Sequence, residues 1–209
     1  MRREERRAHI LACALEVFAQ KGYHSSSVSD IIKKAGVARG TFYLYFKSKR
    51  TVFDELLDDL FALLHTKVKR IDPSRGSVGV VAQMQSNIDA VMGCLIDNRP
   101  MLRLLMAGVA GLDSSFDKKL TEFYDRLVEL TQHSLVQGHD MKVIRSVNVK
   151  IVSLCIIGTI KEVLYQIAMG RKMPNREILV KEILDYGLRG LLVPETASKL
   201  GFLSKRSTR

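Results

Sequence analysis

Apolar residues recur along this chain mostly three or four positions apart, which is the spacing of amphipathic α-helices. The first such segment covers residues 3–21. Its apolar stripe, with i, i+4, i+7 and i+8 spacing, consists of Ile10, Ala14, Val17 and Phe18. No stretch of useful length alternates apolar and polar residues as a half-buried strand does. The pattern therefore predicts an all-α protein.

Helix start and stop signals divide the chain into about nine helices. Ser27, with Asp30 three positions later, is a capping-box arrangement, and Gly36 marks the end of a short second helix. A third helix is predicted over 39–45, and a fourth begins after Ser48. The fourth continues to about residue 70, and the later predicted helices cover 77–97, 100–110, 114–137, 141–169 and 175–192.

Three parts follow from this division. Residues 1–49 are predicted to form a three-helix unit of the helix-turn-helix type, because two short helices flank a turn that contains glycine. Residues 50–194 are predicted to form a larger helical bundle. The basic segment 195–209 is predicted to be a loose tail.

Positive charge is concentrated at the N-terminus. The net charge is +11, and residues 1–50 carry eleven Lys and Arg against four Asp and Glu. A basic segment of this kind indicates a nucleic acid or an anionic membrane surface as partner.

The second helix of a helix-turn-helix lies in the major groove, with its first residues near base edges. Arg39 at the helix start suits guanine or a phosphate, and Gly40 lets the backbone approach DNA closely. Thr41 offers a hydroxyl group to phosphate or base and a methyl group to thymine. Phe42 and Phe46, four positions apart, are expected to face inward.

The remaining side chains of this segment also suit DNA. The hydroxyl groups of Tyr43 and Tyr45 suit phosphate contacts, whereas Leu44 can make only apolar contact in the groove. Lys49 and Arg50 begin the fourth helix, where the helix dipole disfavours cations unless an anion such as phosphate is bound. Taken singly, an aromatic pair is also ordinary core and a basic helix end ordinary surface; the combination favours DNA binding.

The stretch SVSDIIKKAGVARGTFYLYFKSK resembles the signature of TetR-family transcriptional regulators, and ILACALEVFAQKGYHSSS resembles that family's first helix. The resemblance covers about residues 6–60. It implies DNA contacts at Val28, Ser29, Ala38, Arg39, Gly40, Thr41, Tyr43, Leu44, Tyr45 and Lys49. Two departures concern caps: Ala38 stands where many members have Ser or Thr, and SKRT lacks the usual acidic residue after SK. Both caps are therefore expected to be missing.

The resemblance also implies that the bundle encloses a pocket for a small inducer. Apolar and polar positions on the middle helices are candidates for its lining, although such residues are also ordinary core. The candidates are Met84, Ile88, Met106, Phe123, Leu127, Cys155, Thr159 and Glu162. We expect a mostly hydrophobic ligand.

A homodimer interface built from the last two helices is the third implication. The apolar stripe of the final helix agrees with it, and glycines in that helix permit close helix approach. The candidate interface residues are Ile183, Leu184, Gly187, Leu188 and Leu191. The alternative is that these helices fill the core of a monomer.

Nothing beyond residue 50 points to an enzyme, a metal site or a cofactor. The common nucleophile, nucleotide and zinc motifs are missing, and the five histidines lack ligand spacing. The three cysteines lie in apolar helical contexts and are predicted to be small buried hydrophobes. The longest apolar run, IVSLCIIGTI, has ten residues, too few to span a bilayer.

These observations predict a cytoplasmic dimeric regulator, a repressor, that binds double-stranded DNA at a palindromic operator and is released by a small hydrophobic effector. Two alternatives remain at this point. One is an architectural DNA-binding protein without an effector. The other is a ligand-binding or catalytic helical bundle whose basic end contacts an anionic membrane.

Overall fold

The structure is a computed structural model that describes residues 3–106 and 114–201. These residues contain ten α-helices and no β-strand, which confirms the all-α prediction. The helices are α1 Arg3–Lys21, α2 Val28–Ala35, α3 Arg39–Tyr45, α4 Lys49–Lys67, α5 Gly76–Asp97, α6 Arg99–Met106, α7 Ser114–Asp140, α8 Val149–Ala168, α9 Arg176–Leu191 and α10 Pro194–Lys199. A 3₁₀ turn, Pro73–Arg75, leads into α5.

Helices α1–α3 form the N-terminal unit around an aromatic centre. Ser27 caps α2 in a complete capping box with Asp30, and Gly36 ends the helix in the left-handed conformation, with φ of 62°. The turn that follows places α3 so that Phe42 and Phe46 are buried in the same apolar core as the inner face of α1. The inward direction expected for these two rings is thereby confirmed.

Helix α4 runs without a break from the N-terminal unit into the bundle. Its buried face, which joins both parts in one apolar core, consists of Val52, Phe53, Leu56, Leu57, Leu60 and Leu64. The expected lack of a cap is wrong here. Thr51 takes the place of the usual carboxylate: its hydroxyl accepts from the Ser48 backbone amide, and the Ser48 hydroxyl accepts from the Thr51 amide.

Helices α5–α9 form the bundle, in which α8 packs on α7 and α6 while α9 packs on α5. Helix α1 also packs on α6, so the N-terminal unit rests directly against the bundle. Charged contacts add to this packing. Arg7 forms an ion pair with Glu55 of α4, and Asp58 of α4 accepts from Lys119 at 3.0 Å and Arg126 at 3.2 Å on α7.

Helix α8 begins eight residues later than its apolar pattern predicted. The Gly138 carbonyl accepts from the amides of Val143 and Ile144, and Lys142 adopts φ of 57°, which ends helical geometry. Ile144 then folds back on Gly138, where a Cβ atom would lie 2.6 Å from its side chain. Because Gly138 has no side chain, this close approach is possible.

The C-terminal part also differs from the prediction. Helix α10 occupies residues 194–199, and its Thr196 and Ala197 are buried, so this stretch is not part of a loose tail. Residues 202–209 lie outside the described residues, as does the predicted end of the sixth helix at 107–110.

Candidate nucleic-acid interface and ligand cavity

Helix α3 presents one continuous exposed face to solvent. Ala38, Arg39 and Gly40 are exposed, and Leu44 is 76% exposed although it is a large apolar residue. Thr41 and Tyr45 are half-buried, and Tyr43 is exposed. In α2, Ser29 is exposed while Val28 is half-buried and packs against the core. The structure therefore brings these nine predicted DNA-contacting residues to the end of the molecule formed by α2 and α3.

Arg39 is held by its neighbour on the helix. Its guanidinium lies 5.8 Å from the centroid of the Tyr43 ring, a cation–π arrangement that leaves its N–H groups at the surface. The Tyr43 ring in turn meets Phe42 edge-to-face at 5.4 Å. This stack joins Arg39 to the buried core and limits the directions in which it can point.

The ammonium group of Lys49 is engaged by backbone carbonyls of this chain, and its assignment as a DNA contact stays a prediction. Its ammonium donates to the carbonyls of Tyr23 at 2.7 Å, His24 at 3.2 Å and Ser26 at 2.9 Å. It also lies 4.5 Å from the Tyr23 ring centroid. Since an ammonium has three donors, these carbonyls occupy all of them. Arg50 is likewise engaged, by Asp54 at 2.6 Å.

Two arginines that the sequence reasoning did not assign lie beside α3. Arg3 and Arg6, one turn apart at the start of α1, line a cleft together with Thr41, Leu44 and Tyr45. Two sequence features could have indicated that these arginines belong to the DNA-binding surface: the basic N-terminal run and their i, i+3 spacing, which places both on one side of α1. Both arginines extend the positive surface of the α3 face, which suits a phosphate backbone.

The capping group of α2 is ionised even in acid. Hydrogen bonds from Lys21 and Ser27 lower the pKa of the Asp30 carboxyl group to about 2. The negative charge at the start of α2 also suits the helix dipole. The start of α2 is therefore fixed by a charged group at any physiological pH.

A cavity of about 590 Å³ lies inside the bundle, among α4, α5, α7, α8 and α9. Its lining is predominantly apolar. Several polar side chains on it are already hydrogen-bonded to backbone groups of this chain: Asn87, Thr131, Ser134, Arg145 and Thr159. The cavity thus offers mainly apolar contact to an occupant.

The predicted pocket residues divide into two groups. Five of them line the cavity: Met84, Ile88, Leu127, Cys155 and Thr159. The other three do not, which corrects their assignment. Met106 and Phe123 are buried in the core, where the Phe123 ring packs edge-to-face on Phe61, and Glu162 is exposed and bonded to Gln166. Helical spacing alone does not distinguish core from cavity wall.

The predicted dimer residues all line the cavity: Ile183, Leu184, Gly187, Leu188 and Leu191. Leu184, Leu188 and Leu191 are buried within the single chain, so these three do not form an outer contact face, whereas Ile183 and Gly187 are half-buried. The apolar side chains that α8 and α9 leave exposed are instead Ile151, Leu154, Tyr165, Ile178 and Tyr186.

Helix α8 is long and apolar enough to cross a membrane by length and composition. Only 17% of its most apolar 18-residue window is buried within the chain. The apolar side chains of α8 are therefore divided: Ile151, Leu154 and Tyr165 are exposed, whereas most of the others are half-buried. Cys155 on this helix is exposed, unlike the buried Cys13, which corrects the expectation that all three thiols are buried.

The described residues contain no group of three or more His, Cys, Asp or Glu side chains placed to hold a metal ion. The two candidate functional features of the described residues are the exposed α3 face and the bundle cavity. Helix α4 connects them, because it begins beside α3 and contributes Leu64 to the cavity wall.

Comparison with known proteins identifies this arrangement. Residues 10–56 match the family described as bacterial regulatory proteins, tetR family. The uncharacterized HTH-type transcriptional regulator YvdT of Bacillus subtilis is 30% identical over 185 residues, which cover 87% of this chain and 93% of that protein.

Two solved structures share the fold. One, from Syntrophomonas wolfei and described as a TetR-family regulator, is 25% identical with a TM-score of 0.75, over 98% of this chain and all of the other. The other is FadR of Bacillus subtilis in complex with stearoyl-CoA, 23% identical with a TM-score of 0.72, over 88% of this chain and 98% of the other. This chain belongs to the TetR family of DNA-binding, helix-turn-helix transcriptional regulators.

Proposed function

We propose that this protein is a cytoplasmic dimeric repressor, which binds a palindromic operator through two α3 faces and is released when an apolar small molecule fills the bundle cavity. The observation that carries the proposal is the position of α4. This helix has 19 residues, which at 1.5 Å per residue gives a length of about 28 Å. A change at the cavity end therefore reaches the DNA-binding unit through one rigid element.

The contacts at each end of α4 support this coupling. Leu64 and Val68 lie in the cavity wall at its C-terminal end. At its N-terminal end, Lys49 binds the carbonyls of the turn before α2, and Glu55 pairs with Arg7 of α1. A ligand that shifts the C-terminal end of α4 would move both α1 and α2, and with them α3.

The free energy that ligand binding must supply to release the DNA is modest. A ligand needs only to bind the DNA-incompetent arrangement better than the competent one, and couplings of about 1–3 kcal/mol are typical of allosteric proteins. The ion pairs of Asp58 with Lys119 and Arg126 lie along this path. Because they join α4 to α7, a movement of α4 relative to α7 would change them.

The lining chemistry supports an apolar effector. Since several polar groups on the wall are already hydrogen-bonded within the chain, an occupant gains mainly by removing apolar surface from water. FadR of Bacillus subtilis, which shares the fold, was crystallised with stearoyl-CoA. Long-chain acyl compounds are therefore the first ligands to test.

The test measures operator binding by fluorescence anisotropy in the presence of stearoyl-CoA, free stearate and N-phenyl-1-naphthylamine. We expect at least one of them to release the DNA and to raise the melting temperature of the protein. Ile88→Trp, which fills the cavity, should weaken release by that ligand, whereas Val136→Trp, on an exposed part of α7 outside the cavity, should not.

Release that is equally strong from Ile88→Trp would place the effector elsewhere. If no apolar compound raises the melting temperature or releases DNA, an architectural protein without an effector would be the better interpretation.

A further inference from the structure

The wall of the bundle cavity carries one charged side chain within the described residues, that of Arg145. No Asp or Glu lies on this part of the wall, and most of the lining is aliphatic. A lone cation beside an apolar cavity has no counterion supplied by the wall itself. The cavity therefore combines a volume of about 590 Å³, suited to an apolar group, with a single positive charge.

The backbone of Arg145 is held in place by neighbouring segments. Its amide donates to the Leu191 carbonyl at 2.9 Å. One residue earlier, Ile144 pairs with Leu192 in an isolated antiparallel bridge, and the Ile144 amide also donates to the Gly138 carbonyl at 3.1 Å. The segment that carries Arg145 is therefore fixed between the C-terminal ends of α7 and α9.

The guanidinium group of Arg145 is oriented as well. Its Nε donates to the Gly190 carbonyl at 2.6 Å, and its Nη1 donates to the Ser146 carbonyl at 3.3 Å. The first contact caps the last turn of α9, which accounts for one N–H group. A guanidinium has five N–H groups, so three are left without a partner among the described residues, and no carboxylate of this part of the chain pairs with them.

An oxyanion is the ligand that suits these remaining N–H groups. Arginine binds carboxylate and phosphate oxygens with two N–H groups at once, and a side chain that is already held loses less freedom on binding. Gln137, which lines the cavity next to Gly138, adds a side-chain amide without a partner in the described part of the chain. An ordinary surface arginine would instead be hydrated and free to move, with no cavity beside it.

We propose that Arg145 binds the anionic head group of an amphiphilic effector whose apolar tail fills the cavity. The inference rests on the effector cavity proposed above and names the class of its occupant, an aliphatic carboxylate or phosphate rather than a neutral apolar compound. The tail supplies affinity by leaving water, and the head group supplies selectivity through the guanidinium.

The test is displacement of N-phenyl-1-naphthylamine, a neutral fluorophore, from the full chain by ligands below their micelle concentrations. Tetradecanoate, tetradecyl phosphate and tetradecan-1-ol share one tail and differ in the head group. At least one of the two anions should bind the wild type about tenfold more tightly than the alcohol, because hydrogen bonds to a charged group are strong. The tighter anion identifies the head group as carboxylate or phosphate.

Two variants assign this preference to a residue. Arg145→Gln keeps a hydrogen-bonding side chain without the charge and should remove the advantage of the anion. Lys142→Gln, at an exposed position of the same connection but not on the cavity wall, should keep it. Comparing anion with alcohol within each protein separates recognition from folding, because loss of the α9 cap would weaken both ligands alike.

Two results would contradict the proposal in different ways. Anions that bind no better than the alcohol, or an advantage that persists in Arg145→Gln, would overturn the head-group site and leave the apolar effector cavity intact. No binding of the fluorophore or of any of the three ligands to the wild type would overturn the effector cavity itself, and the head-group site with it.

Discussion

Leu44 is an unusual residue for a surface that binds a polyanion. It is 76% exposed at the centre of the α3 face, between Tyr43 and Tyr45, and no core contact explains it. A leucine in the major groove can contact only the thymine methyl group among the features that distinguish base pairs. We therefore expect the half-site to contain a thymine opposite Leu44.

A cycle of changes in protein and DNA tests this contact. Replacing that thymine by uracil removes one methyl group, and burial of one such group is worth about 0.8 kcal/mol, or roughly fourfold in affinity. The wild type should lose about this much, whereas Leu44→Ala should bind both operators alike. Equal losses for the two proteins in an anisotropy titration would show that Leu44 does not contact the methyl group.

We expect Lys49 to stabilise the fold of the N-terminal unit rather than to bind DNA. Lys49→Ala leaves three carbonyls without their charged donor, so the free energy of unfolding should fall by about 1–3 kcal/mol. The slope of log affinity against log salt should stay unchanged. Lys47→Ala, at an exposed position two residues away, is the matched control for stability. A salt slope reduced by about one unit, without loss of stability, would restore Lys49 as a phosphate contact.

Tyr124 carries a buried hydroxyl group with no hydrogen-bond partner in the described part of the chain, and Lys161 lies over its ring at 4.7 Å. Burial raises the pKa of Tyr124 to about 12. The unfolded chain therefore loses this proton first, near pH 10, and stability falls as pH rises from about 10 to about 12.

Tyr124→Phe removes both the unsatisfied group and this titration. The variant should be about 1 kcal/mol more stable than the wild type at pH 7, and the difference should widen above pH 10. Urea denaturation at both pH values measures it, with Tyr43→Phe as the exposed control. A difference that stays constant with pH would show that the hydroxyl group is hydrated rather than buried, and a less stable variant would show that it has a hydrogen-bond partner.

At the scale of the helices, α3 is weakly held at its start. Ala38 has the extended N-cap conformation, with φ of −69° and ψ of 151°, but no side chain to accept from the helix amides. Ala38→Ser should add this acceptor and raise the free energy of unfolding by about 0.5–2 kcal/mol. Ala38→Val, which has no acceptor, is the control, and an equal effect of the two substitutions in thermal denaturation would rule out capping.

The helix boundaries show which features the sequence could predict. Where a boundary depends on neighbouring residues, as with Ser27 and Gly36 around α2, the pattern predicts it correctly. Residues 141–148 continue the apolar spacing of α8, but backbone hydrogen bonds of Val143 with Val193 and of Arg145 with Leu191 hold them out of the helix. The Thr51 cap was missed because a hydroxyl group replaces the expected carboxylate.

At the scale of the whole molecule, the DNA-binding face was far more predictable than the cavity. The outward direction of Arg39 and the inward direction of Phe42 follow from helical period alone. Leu184 and Leu188 have the same spacing whether they face a partner or their own bundle, so the pattern could not separate these roles. The contacts of the Lys49 ammonium group depend on the positions of three carbonyl groups more than twenty residues away in the sequence. No local sequence pattern indicates those positions.

Selection of bound sequences from random DNA tests most directly the claim that two α3 faces act together on one operator. We predict an inverted repeat whose half-sites have centres about 34–36 Å apart, or a multiple of that distance, because a two-fold dimer presents two identical faces to the same side of the duplex. Enrichment of a single half-site without a symmetric partner, or of no sequence at all, would contradict the account.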